Sequence, residues 1–128
     1  MRHILFADDE PAIRRLVFDV LTDEGFEVSL AADRSEALAA LAGPVPHLVI
    51  LDLLPGLDPV AFCSYLEARH GPVPVLIVSG AVSIRSVAEG LGAHFLSKPF
   101  DLAEFITLVG KLVNGGEPGG QEDALDEP

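Results

Sequence analysis

Leu48-Val49-Ile50-Leu51-Asp52 is the stretch around which the rest of the chain is arranged. Four consecutive apolar residues precede a carboxylate, and glycines and prolines bound the run at residues 43–46 and 55–56. A short apolar run between turn residues is typical of a strand buried on both faces of a parallel sheet. Asp52 is then the first residue beyond the core. Open α/β sheets bind their ligands at this carboxyl end of the strands.

The composition indicates a single folded, acidic domain. The chain has 128 residues, of which 49% are hydrophobic, and a formal net charge of −12. With only eight Lys and Arg, it is a poor partner for the phosphate backbone, so we expect no nucleic-acid contact and favour a cation or a basic partner. A single cysteine, Cys63, excludes an internal disulfide, and no apolar run approaches membrane-spanning length. We therefore expect a cytoplasmic protein without membrane contact.

Apolar periodicity predicts five strands alternating with five helices. The predicted strands span residues 2–7, 26–31, 48–52, 73–78 and 93–97. This alternation predicts an α/β fold with a five-stranded parallel sheet, flavodoxin-like and doubly wound (βα)5, in the order 2-1-3-4-5. From Asn114 onward the chain is rich in Gly, Pro and acids. We predict one domain over residues 1–113, and a flexible acidic tail or linker start over residues 114–128.

Most of the predicted helices begin with a capping residue. The candidate N-caps are Asp33, Asp58, Ser83 and Asp101. In the fourth helix, Arg85 and Glu89 are four residues apart, which predicts that they are neighbours on its exposed side.

Polar residues follow four of the five predicted strands. They are Asp8 and Asp9 after the first, Asp52 after the third, Ser79 after the fourth and Lys98 after the fifth. In the predicted strand order the first and third strands are neighbours, so three carboxylates share one crevice. Carboxylates packed together repel one another unless a positive group lies among them. Mg²⁺ suits this site because it prefers hard oxygen ligands and commonly uses one or two carboxylates.

Such a crevice has the parts that phosphoryl transfer needs. That reaction requires positioning and charge neutralisation around the moving phosphoryl group, and little else. The carboxylate of Asp52 is a candidate nucleophile, since aspartate is a known covalent phosphoryl acceptor. Lys98 would supply a positive charge and Ser79 a hydrogen-bond donor. His3, His47, His70 and His94 lack metal-ligand spacing, which argues against zinc.

The same segments resemble a response-regulator receiver domain of two-component signalling, of the chemotaxis-receiver type. The resemblance covers about residues 2–113 and rests on four motifs in this order: Ile-Leu-Phe-Ala-Asp8-Asp9-Glu10, Leu-Val-Ile-Leu-Asp52, Val-Leu-Ile-Val-Ser79-Gly80 and Phe95-Leu96-Ser97-Lys98-Pro99-Phe100. Their joint occurrence is more specific than any single motif. The resemblance implies that Asp52 accepts a phosphoryl group from a sensor histidine kinase or a phosphotransfer protein.

The resemblance also implies roles for the other site residues. Asp8, Asp9 and Asp52 would hold Mg²⁺ together with a backbone carbonyl from Leu53 or Leu54, of which we choose Leu54. Lys98 would pair with the phosphoryl oxygens and precede a cis peptide bond to Pro99.

A switch is implied as well. The hydroxyl of Ser79 would move to the phosphoryl group, and the ring of Phe95 would rotate inward. These movements would bias a surface formed by the fourth helix, fifth strand and fifth helix. This surface is the candidate contact for an output partner, whose identity the sequence leaves open, or for a homodimer.

Two segments depart from the receiver pattern. Pro55 lies three residues after Asp52 where most receivers have the proline four residues on, and the segment between Ser79 and Lys98 is also short. A pseudo-receiver, which binds partners without phosphorylation, is therefore the alternative hypothesis. An enzyme on the same fold is a third. A flavin protein would need a phosphate-binding loop where Asp8, Asp9 and Glu10 stand, and a phosphatase usually carries its nucleophile on the first strand.

Overall fold

A computed structural model describes residues 2–52 and 54–115 and contains the alternating strands and helices that the sequence predicts. The strands are β1 (His3–Ala7), β2 (Glu27–Ala31), β3 (Leu48–Asp52), β4 (Val75–Ser79) and β5 (His94–Ser97). The helices are α1 (Pro11–Asp23), α2 (Arg34–Ala40), α3 (Pro59–His70), α4 (Ser83–Leu91) and α5 (Leu102–Gly115).

The five strands form one parallel sheet in the order β2-β1-β3-β4-β5, which confirms the predicted topology. β3 is central, and residues 48–51 have no exposed surface. In the register, Ile4 pairs with Leu48 on one side and Asp52 pairs with Val78 on the other. A continuous apolar run is required here because helices cover both faces of the strand.

Each face of the sheet packs its own apolar core. Val49, Leu51 and Ile77 point towards α2, α3 and α4, while Ile50 and Leu76 point towards α1 and α5. Truncating a fully buried side chain such as Ile50 to alanine would cost about 2–5 kcal/mol of stability. The charged groups are thereby left to the two edges of the sheet, where the strands begin and end.

Three of the four predicted N-caps are present. The carboxylate oxygens of Asp33, Asp58 and Asp101 accept backbone N–H groups in the first turns of α2, α3 and α5, at 2.8, 3.1 and 3.1 Å. Ser83 was the wrong choice for α4. Val82 occupies the N-cap position with helical backbone angles and without a side-chain cap. The turn starts earlier than predicted because the carbonyl of Ala81 already accepts the Ile84 N–H at 3.1 Å.

The end of α4 agrees with the sequence prediction, and the end of α5 does not. α4 ends at Leu91 as its sequence predicts, and Gly92 follows it with a φ of 71°, in the left-handed region that glycine adopts without strain. α5 continues to Gly115, two residues past the predicted domain boundary. Residues 116–128 of the predicted tail lie outside the described residues, so the division into domain and tail stays a prediction. Among the helices that the structure describes, none is both long and apolar enough to cross a membrane.

Candidate functional site

The carboxyl edge of the sheet brings the predicted acids together. Asp8 follows β1, and Asp52 is the last residue of the neighbouring strand β3. Carboxylate oxygens of Asp8, Asp9 and Asp52 all lie within 4.8 Å of one another. Asp8 is fully buried, Asp52 is half-buried and Asp9 is exposed. The three acids thus form a cluster that is open to solvent on the side of Asp9.

Lys98, in the loop after β5, supplies the positive charge. Its Nζ donates a hydrogen bond to Asp52 Oδ2 at 2.9 Å and lies 3.5 Å from Asp8 Oδ2. Burial lowers the pKa of Lys98, but the hydrogen bond and charge of Asp52, with a smaller contribution from Asp8, outweigh burial and raise it. The ammonium therefore remains charged. The peptide bond between Lys98 and Pro99 is cis, as the resemblance implied.

Asp8 is the acid whose charged form is disfavoured by burial. Its Oδ1 accepts the Glu10 N–H at 2.9 Å, whereas its buried Oδ2 has no hydrogen-bond partner. Burial raises the pKa of Asp8 to about 6, the Glu10 hydrogen bond opposes this increase, and the charge of Asp52 adds to it. A buried carboxylate oxygen without a hydrogen bond, close to two further carboxylates, suits a hard divalent cation such as Mg²⁺. The residues present therefore fit the predicted metal.

The predicted carbonyl ligand is less well defined. Leu53 lies outside the described residues. The carbonyl of Leu54 accepts the Leu57 N–H at 3.1 Å, which leaves its second lone pair for a metal. Its side chain is 3% exposed and packs into the core, so the loop is anchored on one side. The role of Leu54 as a metal ligand stays a prediction.

Ser79 ends β4 at the same edge and is buried. Its Oγ accepts the Ala81 N–H at 3.0 Å, and its carbonyl accepts the Lys98 N–H, also at 3.0 Å. The hydroxyl is therefore held by its own turn. This bond uses the hydroxyl only as an acceptor, so its own proton is available for donation to a group on Asp52.

Arg85 and Phe95 form a contact that the sequence analysis missed. The guanidinium carbon of Arg85 lies 4.8 Å from the centroid of the half-buried Phe95 ring. Arg85 and Glu89 lie on the exposed side of α4 as predicted, but neither forms an ion pair within residues 2–52 and 54–115. Helical spacing indicated that they were neighbours on α4, but no pattern in the sequence indicated how closely α4 approaches β5.

Arg14 is a second residue that the sequence analysis missed. Its Nη1 donates to the backbone carbonyl of Asp8 at 2.8 Å. This residue in the first turn of α1 therefore holds the loop that carries Asp8 and Asp9. The available signal was a basic residue in the first turn of the helix that follows the acids at positions 8–10. It was indistinguishable from an ordinary surface arginine.

Comparisons with known proteins agree with the fold. The family model described as response regulator receiver domain matches residues 4–110. The chain is 36% identical over 112 residues to nitrogen assimilation regulatory protein NtrX of Azorhizobium caulinodans, covering 83% of this chain and 25% of the relative. It is also 36% identical over 112 residues to the DNA-binding response regulator MtrA of Mycolicibacterium smegmatis, covering 84% of this chain and 49% of the relative.

Solved structures show the same relationship. The receiver domain of NtrX from Brucella abortus is 38% identical with a TM-score of 0.76, covering 87% of this chain and 98% of that structure. The response regulator TrrA from Thermotoga maritima, solved in complex with Mg(2+)-BeF, is 30% identical with a TM-score of 0.76, covering 88% of this chain and 99% of that structure.

This chain belongs to the family of response regulator receiver domains, which are signalling domains of two-component systems. It spans 25% and 49% of the lengths of the two curated relatives, so it corresponds to only part of each.

Proposed function

We propose that Asp52 accepts a phosphoryl group from the phosphohistidine of a sensor histidine kinase or phosphotransfer protein, in a Mg²⁺-dependent reaction. The observation that supports this proposal most strongly is the ion pair between Lys98 Nζ and Asp52 Oδ2 at 2.9 Å, beside two further acids. A structural ion pair would need one acid. Three clustered acids with one lysine beside two of them leave a negative excess that suits a bound cation.

The transfer is a displacement at phosphorus. A carboxylate oxygen of Asp52 would form the new O–P bond while the P–N bond to the donor imidazole breaks, and the electron pair of that bond would remain on the imidazole nitrogen. Lys98 is close enough to Asp52 to neutralise charge on oxygens bound there. Asp8, Asp9 and Asp52, with the carbonyl of Leu54, would hold Mg²⁺, which supplies further charge neutralisation when bound.

Turnover would be limited to the domain's own aspartyl phosphate. We propose self-catalysed phosphoryl transfer and autodephosphorylation at Asp52, in a signalling domain of the cytoplasm. An aspartyl phosphate adds close to two negative charges and strong acceptor oxygens. The Ser79 hydroxyl would move to donate to one of these oxygens, and Phe95 would turn inward.

The switched surface would comprise α4, β5 and α5, and would bind an output partner or a second copy of the chain. A groove of about 690 Å³ lies along this surface, and its lining residues include Phe95, Leu96, Glu104 and Leu108. The proposal includes no nucleic-acid contact by this domain, because the net charge of −12 opposes it.

Incubation with acetyl phosphate and Mg²⁺, followed by intact-mass measurement, tests the proposal. We expect the mass of one phosphoryl group on the wild type, and no gain in Asp52→Asn or in the presence of a chelator. Asp58→Asn is the matched control, because asparagine caps α3 as well as aspartate does and the charge change is the same. No mass gain on the wild type would refute the proposal and favour the pseudo-receiver.

A further inference from the structure

Arg85 lies on α4, yet its guanidinium covers the ring of Phe95 on β5. We infer that Arg85 is a positioning residue that holds the Phe95 ring in its half-exposed position until Ser79 moves. The inference rests on the proposed function, because it concerns how phosphorylation at Asp52 reaches the surface of α4, β5 and α5. It goes beyond that function by assigning a role to a residue outside the phosphorylation site.

A cation over an aromatic face is attracted by the negative face of the ring. The ring of Phe95 has no hydroxyl, so hydrogen bonding cannot fix its position, and packing and this contact must do so. Phe95 is half-buried and packs against the same core as Ile84 and Ala88 of α4. A ring that rotates further into the core would lose its contact with the guanidinium. The contact therefore favours the half-exposed position of the ring, here called the outward position.

Hydrogen bonds connect Ser79 to the first turn of α4, to which Arg85 belongs. Ser79 Oγ accepts the Ala81 N–H at 3.0 Å, and the carbonyl of Ala81 accepts the Ile84 N–H at 3.1 Å. The next carbonyl, of Val82, accepts the Arg85 N–H at 3.1 Å. Movement of this hydroxyl towards the phosphoryl group would stretch its bond to Ala81, which lies immediately before the N-cap residue of α4.

The start of α4 is weakly held in other respects. It has no side-chain cap, and Val82 at the N-cap position is 84% exposed. Ser83 and Ser86 have low helix propensity, as does Gly90 in the last turn. A helix start of this kind can shift at small cost, which would move Arg85 relative to Phe95.

Affinity for Mg²⁺ with beryllium fluoride, a mimic of the phosphoryl group, tests the inference. Removing Arg85 removes a contact made only in the outward state, so Arg85→Gln should bind the mimic about 2- to 5-fold more tightly than the wild type. Arg85→Lys keeps the charge without the planar guanidinium and should lie between the two. Arg15→Gln on α1 is the control, because Arg15 is highly exposed and should leave the affinity unchanged.

The Phe95→Leu background shows whether the effect passes through the ring. There, Arg85→Gln should leave the affinity unchanged, because the aromatic face is gone. A second readout is amide hydrogen exchange in the absence of the mimic. Exchange at the start of α4 should be faster in Arg85→Gln than in the wild type, while exchange in β3 stays the same and shows that the core is intact.

The results separate the inference from the proposed function. If the wild type binds the mimic and Arg85→Gln binds it equally or more weakly, the inference is wrong and the proposed function stands. The inference is also wrong if Arg85→Gln increases the affinity in the Phe95→Leu background as much as it does in the wild type. If the wild type does not bind the mimic at all, the proposed function fails, and the inference fails with it.

Discussion

The polar groups at the two edges of the sheet, where the strands begin and where they end, differ in how they are paired. At the edge where the strands begin, Arg2 Nη1 donates to the carbonyl of Val113 at 2.7 Å, which connects the start of the domain to the end of α5. His47 Nδ1 accepts the backbone N–H of His3 at 3.0 Å. The ring Nε2 of His3 is hydrogen-bonded to Ser29 Oγ at 2.7 Å. These polar groups have partners that stabilise the fold.

At the edge where the strands end, charge is concentrated. Asp8 has a buried oxygen without a hydrogen bond and a pKa raised to about 6, and Lys98 is shared between Asp8 and Asp52. A group held in its less favoured protonation state lowers stability. The comparison shows that one edge of this fold holds the domain together, while the other retains an electrostatic strain that a bound cation would relieve.

Removing the lysine should have the largest effect. Lys98→Ala takes away the positive charge 2.9 Å from Asp52, and we expect phosphorylation by acetyl phosphate to slow by about 10²-fold or more. Time courses of intact mass would measure the rate. Lys111→Ala is the control, because it removes a lysine on α5 that is not part of the acid cluster. This variant should retain the wild-type rate. Equal rates for Lys98→Ala and the wild type would show that the carboxyl edge does not work as a unit.

Neutralising the buried acid should stabilise the protein. Because burial disfavours the charged form of Asp8, we expect Asp8→Asn to raise the free energy of unfolding by roughly 1–3 kcal/mol at pH 8 without Mg²⁺. Urea unfolding measures this difference. In the presence of Mg²⁺ the advantage should shrink or reverse, because the variant lacks one carboxylate of the cluster. A destabilised Asp8→Asn variant without metal would contradict the view that this edge is strained.

The same acid sets a pH dependence. The pKa of Asp8 is about 6 in the folded state and 3.8 ordinarily, so between these values the folded state binds the proton more tightly. Stability due to Asp8 is therefore greatest at low pH and falls by about 1 kcal/mol per pH unit as the pH rises through this window. The difference in unfolding free energy between wild type and Asp8→Asn should show this slope. A difference independent of pH would place the strain elsewhere.

The opposite edge should give the smallest effect, and only on stability. Arg2→Ala loses the hydrogen bond to the Val113 carbonyl, and we expect a loss of about 0.5–1 kcal/mol in the free energy of unfolding. Its rate of phosphorylation should equal that of the wild type. A rate as low as that of Lys98→Ala would erase the distinction between the two edges.

Much of the fold was predictable because it depends on local patterns. Runs of apolar residues bounded by Gly and Pro define the strands, and the helices that alternate with them determine the parallel topology. The site acids, Ser79 and Lys98 were predictable for the same reason, since each directly follows a strand or ends it.

Other features depend on distances between elements, which a local pattern does not contain. The burial of Asp8 beside the exposed Asp9 is one example, and the contact of Arg85 with Phe95 is another. Ser83 looked like a cap because its residue type suits that position. The turn held by Ser79 and Ala81 had already started the helix.

The position of the phosphoryl group tests the central claim most directly. After reaction with acetyl phosphate and Mg²⁺, borohydride reduces an aspartyl phosphate to homoserine, which peptide mapping by mass spectrometry can locate. We expect homoserine at position 52 alone. Homoserine at Asp8, Asp9 or any other acid, or an unmodified chain, would contradict the assignment of Asp52 as the acceptor.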